Sequence, residues 1–204
     1  MVVRLPNVMV VNPSFPAETL PAFITYAKSH PGKINMASST IGGADHLAGA
    51  LFSAMAAIEI TNVPYRGGGT ALFADLLSGQ VDVNFATLPG VISYIRGNKL
   101  RALAVTTETR HAALPDIHTI SDFLPRYEAS SWHGVGTPKA TSAEVIDKLN
   151  NQINAILADA AIKARLAQLG GTPLPGSPSD FRNLIAGETD KWGKVIQAAN
   201  IKPE

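Results

Sequence analysis

The chain has 204 residues, 46% hydrophobic and 16% charged, which admits one large domain or two small ones and is too apolar for disorder. A formal net charge of +1 offers no basic surface, so no nucleic-acid partner and no anionic membrane is expected. The absence of cysteine excludes disulfides, thiol catalysis and cysteine-rich zinc sites, and no apolar run reaches the length of a membrane span.

Residues 8–12 are apolar and β-branched and stop at Asn12-Pro13, which predicts a strand. Residues 19–29 predict a helix with Leu20, Phe23, Ile24 and Ala27 on one face. A strand over 33–37 feeds a Ser/Gly loop, and a small-residue helix over 44–57 follows, turning Leu47, Leu51, Phe52 and Met55 to the core. Strands at 60–64, 81–86 and 100–106 then alternate with helices at 70–78, closed by Gly79, and 90–96. This alternation predicts an α/β fold, a parallel sheet with helices on both faces. Ligands in such sheets lie beyond the carboxyl ends of the strands. Those ends are the loops 38–43, 65–69, 86–89 and 107–111, two rich in glycine and three carrying hydroxyls. Their convergence predicts one small-molecule site.

Residues 108–130 read as irregular and 131–136 as a strand or crossing segment, after which the pattern becomes helical. Thr141 and Glu144 have capping-box spacing. An apolar stripe follows through Val145, Ile146, Leu149, Ile153, Ile156 and Leu157. A second helix over 160–169 stops at Gly170-Gly171, and a third opens at Ser177-Pro178. These apolar faces must pack on something. The expected division is an α/β ligand-binding domain over 8–131 and C-terminal helices over 132–204.

The loop Ser38-Ser39-Thr40-Ile41-Gly42-Gly43 precedes a helix start. Unpaired backbone N–H groups and a partial positive charge there favour an anion, a carboxylate as well as a phosphate. A plain strand–helix connector has the same composition. In Tyr65-Arg66-Gly67-Gly68-Gly69 the arginine is either a carboxylate donor or a solvated side chain beside a flexible turn. No P-loop and no dinucleotide fingerprint occurs. His30, His46, His111, His118 and His133 lack zinc-ligand spacing. Asp45 and His46 are neighbours on a helix and point to different faces, so they cannot form a catalytic pair, and His46 reads as a brace of the loop or a core-edge residue. There is no nucleophile elbow. No catalytic residue, metal or cofactor is expected. Trp132 is a packing residue or faces the cleft.

The stretches VVNPSFPA, PGKINMASSTIGGADHLAG, VPYRGGGTALFADLLSGQVDVNFATLP, GNKLRALAVTTETRHAALPDI, SSWHGVGTPKATSAEVIDKLNNQINAILAD and ETDKWGKVIQAANIKP together resemble the solute receptors of tripartite tricarboxylate transporters, the Bug proteins. The resemblance implies a two-domain periplasmic binding protein of the second type. Its cleft would hold a small carboxylate, which the receptor delivers to membrane permease subunits. The family's Ser-Ser-Gly-x-Gly-Ser loop falls on Ser38, Ser39, Thr40, Gly42 and Gly43, with Thr40 in place of a glycine and Gly43 in place of Ser or Thr. His46 matches the family's histidine. Tyr65, Arg66 and Gly67 match its Tyr-Lys/Arg-Gly, and Ala86 and Thr87 fall on a position that is often a polar pair. The opening residues show no signal-peptide hydrophobic region, and the family's leading Pro-x-Ala-Gly-Gly segment has no counterpart. The expectation is therefore an N-terminally truncated receptor. Residues 8–131 would form domain two and 132–204 an incomplete domain one, with capture of the solute impaired. Exposed C-terminal helices would then favour a homo-oligomer. The alternatives are a small α/β enzyme using His46 or the loop serines, and a non-functional receptor remnant.

Overall fold

A computed structural model describes residues 1–66 and 69–202. In chain order its strands are β1 (Val3–Val11), β2 (Ile34–Ser38), β3 (Ile60–Pro64), β4 (Val83–Thr87), β5 (Arg101–Val105), β6 (Ser130–His133) and β7 (Thr172–Pro173). The helices are α1 (Leu20–Ser29), α2 (Ala44–Ala56), α3 (Gly69–Ser78), α4 (Leu88–Arg96), α5 (Ala143–Ala158), α6 (Ala160–Gln168) and α7 (Pro178–Ala198), with a 3-10 turn at Ile120–Asp122. The expected α/β class holds, and details of the reading change. That turn lies inside the stretch read as irregular, and α5 is capped by Ser142, whose side chain accepts the Val145 N–H, rather than by Thr141.

The main sheet has the order β3-β2-β4-β1-β5. β2 is parallel to β3 and β4, but β1 is antiparallel to both β4 and β5, so the sheet is mixed where a parallel one was expected. Strands buried on both faces carry apolar residues throughout, and such a run says nothing about direction. β1 is also longer than the expected strand. Its second half, from Asn7, lies in the main sheet, and its first half pairs with β6 and β7. This one strand therefore belongs to two sheets.

Alternation along β1 separates two cores. Met9 and Val11 face a cluster with Phe23 of α1, Phe52 of α2, Phe85 and Tyr127. Val8 and Val10 face the opposite cluster, with Leu72 and Leu76 of α3 and Leu88 and Val91 of α4. Helices thus cover both faces of the sheet. At Gly49 of α2 a Cβ would lie 2.0 Å from Met36 Sδ and 3.3 Å from Phe85 Cδ2. The missing side chain lets this helix settle close on β2 and β4.

After β6 the packing thins. Leu157 is the only buried residue of α5, and α6 and α7 have none. Trp192 of α7 packs against the α1/α2 core. Glu128 ties the elements together: its carboxylate takes Arg4 of β1 at 2.9 Å and Lys191 of α7 at 2.6 Å.

Candidate functional site

The carboxyl ends of β2 and β4 and the Asn7 end of antiparallel β1 lie along one edge of the main sheet. Two adjacent cavities open there, and Asn7 and Ala44 lie in the walls of both. One, of about 220 Å³, is lined by Ser39, Asp45, Asn84, Ala86 and Thr87 among others. The second, of about 260 Å³, is bounded by Leu47, Ser130, Ser131, Trp132 and Trp192. Trp132 therefore does face the cleft.

The 38–43 loop is built tightly. Ser38 is fully buried, and its Oγ has no hydrogen-bond partner in the protein. Gly42 turns the chain at φ +75° and donates its N–H to His46 Nδ1 at 3.0 Å, so His46 does brace the loop. Burial holds the His46 pKa below its ordinary value, against a smaller opposing effect of the Asp45 charge. Thr40 accepts the Gly43 N–H, and Gly43 is the N-cap of α2 without a side-chain cap.

The Ser39, Gly42, Gly43 and His46 donors of this loop and helix start are engaged from within. The Ser39 N–H reaches Asp45 Oδ2 at 2.6 Å, the Ser39 hydroxyl reaches Oδ1 at 3.0 Å, and the His46 N–H also donates to Oδ1 at 2.9 Å. A carboxylate does sit at the cradle, and it belongs to the protein. Gly43 fits this arrangement, because a Cβ there would lie 2.9 Å from Asp45 Oδ1 and 3.0 Å from Thr40 Cγ2.

The other expected residues divide. Ala86 is buried and Thr87 exposed at the mouth of the 220 Å³ cavity. Thr87 is also the N-cap of α4, with no side-chain cap hydrogen bond. Tyr65 donates its N–H to Ser38 O at 2.8 Å and its hydroxyl to Asp75 Oδ2 at 2.6 Å. Burial, then the hydrogen bond to Asp75 and its charge, push the phenol up to about 12. This hydroxyl is held by α3 rather than offered to a ligand. Arg66 is exposed, and Gly67 lies outside the described residues. The 107–111 loop, expected to converge with the others, instead lines a separate groove of about 710 Å³ that runs to α5, α6 and β7. No cluster of metal-ligating side chains occurs among the described residues.

Asn7 was missed by the sequence reading. It is 1% exposed, its N–H donates to Thr106 Oγ1 at 2.9 Å, and its Nδ2 donates to Phe85 O at 2.7 Å. Its Oδ1 is left with no partner in the protein. An orphaned buried acceptor costs about 1–3 kcal/mol, which marks this position for a ligand or an ordered water.

A mixed α/β sheet with cavities at one edge, crossed by a strand shared with a second sheet, is an architecture found among periplasmic binding proteins. The family model described as tripartite tricarboxylate transporter family receptor matches residues 1–201, and the chain belongs to that family. It is 34% identical over 203 residues to Protein BugT of Bordetella pertussis, covering 99% of this chain and 62% of that one. Among solved structures it is similar to R. palustris Rpa4515 with adipate, with a TM-score of 0.89 and 33% identity, covering all of this chain and 68% of the other. The periplasmic binding protein BugD gives a TM-score of 0.84 and 29% identity, covering 100% and 69%. The chain thus spans about three-fifths of the length of BugT. The family is one of receptors, not of enzymes, and among the described residues no helix is long and apolar enough to cross a membrane.

Proposed function

We propose that the chain is a solute receptor that captures a small carboxylate in the periplasm for the membrane permease subunits of a tripartite transporter. The observation that carries this reading is the pair of cavities meeting at Asn7, in a chain that matches the receptor family along nearly its whole length. The adipate held by the Rpa4515 structure supports a carboxylate as the ligand class. Residues 8–131 supply most of the walls of the site, and Trp132 and Trp192 close the 260 Å³ cavity from the segment that follows. In this reading the solute carboxylate lies at the start of α4, where Thr87 borders the 220 Å³ cavity and makes no side-chain cap hydrogen bond; the helix dipole favours an anion there. The Ser38–Gly43 loop shapes the opposite end through Asp45, and Tyr65 anchors it by its backbone.

Calorimetric titration with mono- and dicarboxylates of graded length tests the proposal. Saturable binding of a small carboxylate, weakened by Thr87→Ala, is the expected result. Heats indistinguishable from dilution across the whole panel would overturn it.

A further inference from the structure

The proposed site contains one charged residue, and its sign is unexpected for a carboxylate receptor. Among the described residues, Asp45 is the only ionisable side chain in the walls of the two cavities, and no Lys, Arg or His lines either. Its carboxylate already takes the Ser39 N–H, the Ser39 hydroxyl and the His46 N–H. A solute carboxylate brought to this end would find these loop donors occupied and a like charge beside it. The second polar group at this end is also an acceptor. Asn7 donates its Nδ2 to Phe85 O, which fixes the amide orientation and leaves Oδ1, in a residue 1% exposed, without a partner. Two acceptors with no cation between them are complementary to an N–H donor.

Building on the receptor reading above, we propose that the solute is bifunctional: it carries a carboxylate at one end and presents a nitrogen donor, an ammonium or a carboxamide, to Asp45 and Asn7 at the other. Asp45 is then the residue that sets specificity against symmetric dicarboxylates. Gly43 belongs to the same device, since a Cβ at that position would lie 2.9 Å from Asp45 Oδ1 and displace the carboxylate. Such a site discriminates against an analogue that brings another acceptor, because Asn7 Oδ1 stays buried without a donor and a second anion meets the Asp45 charge.

The test is a calorimetric comparison of the full chain with three molecules of matched length: succinate, succinamate and γ-aminobutyrate, each repeated in shorter and longer homologues. At the best chain length, a nitrogen-bearing compound is expected to bind at least about tenfold more tightly than the dicarboxylate. The amide and amine arms identify which nitrogen is taken. Asp45→Asn should erase the preference for the amine, because it removes the charge while keeping the shape. The wild-type ranking needs no variant and so stands even if the variant folds poorly. Tightest binding by the dicarboxylate, or an amine preference that survives Asp45→Asn, would overturn the inference and leave the receptor reading standing. Failure of every compound to bind would overturn both.

Discussion

Two residues of the 38–43 loop make its behaviour measurable. His46 Nδ1 must be unprotonated to accept the Gly42 N–H, and burial lowers its pKa below the ordinary 6.5. The unfolded chain therefore binds this proton more readily than the folded one. The stabilising contribution is complete above pH 6.5 and is lost as pH falls from there through the folded-state value. Thermal midpoints measured from about pH 7 to about pH 5 should fall more steeply for the wild type than for His46→Gln, and parallel curves would show that His46 does not carry the effect. The second residue is Gly43. Gly43→Ser should cost about 1–3 kcal/mol through its contacts with Asp45, Thr40 and Ser39. Because Asp45 is the nearest of these, the penalty should shrink in an Asp45→Ala background. A double-mutant cycle by urea unfolding reads that coupling directly, and strict additivity would disconnect the two positions.

At the scale of elements, the position of α2 decides where the loop points, and Gly49 sets that position. Gly49→Ala forces its Cβ onto Met36 Sδ, at 2.0 Å, and toward Phe85. Met36 is flexible enough to yield in part, so the expected loss is about 1–3 kcal/mol in urea unfolding. An unchanged midpoint would mean that Met36 swings aside freely and that the close approach is incidental. The elements themselves were largely legible. Strand and helix periods, together with Pro and Gly at their ends, located α1 to α4 and β2 to β5 to within a few residues. What was not legible follows from β1. Arg4 and Pro6 interrupt its apolar run, so its first half did not read as strand. The direction of a doubly buried strand leaves no mark in the pattern. Asn7 sits where β1 passes from one sheet to the other, one residue before the strand expected from residue 8, and so it was missed. Asp45 was hidden for another reason. An acidic residue in a first helical turn reads as a partner of the helix dipole. Its grip on Ser39 spans a loop that turns at Gly42, φ +75°, and such a contact leaves no periodic mark in the sequence.

At the scale of the whole molecule, apolar burial is uneven. Both cores are built by β1 to β5 with α1 to α4, and Leu157 is the only buried residue of the last three helices. Val145, Leu149 and Ile156 recur at helical spacing on α5 and are 46%, 41% and 54% exposed; Ile162, Leu169 and Ile185 are further exposed aliphatic residues of the C-terminal segment. A stripe of large aliphatic side chains on an amphipathic helix is driven out of water at about 25 cal/mol per Å², and an apolar patch rimmed by polar residues marks an interaction face. The occupant expected for this chain in isolation is a second copy, packed through the same face about a two-fold axis. Sedimentation velocity over a concentration series should show a monomer–dimer equilibrium. Leu149→Lys with Ile156→Lys should shift it to monomer without changing the far-ultraviolet circular dichroism, because neither residue belongs to a core. Binding measured on the monomeric variant then separates the two roles: if the cavities at Asn7 lie wholly within one copy, the solute affinity stays within about twofold of the wild type. A monomer at every concentration in the unaltered chain would show that the α5 stripe tolerates water and that no second copy is recruited.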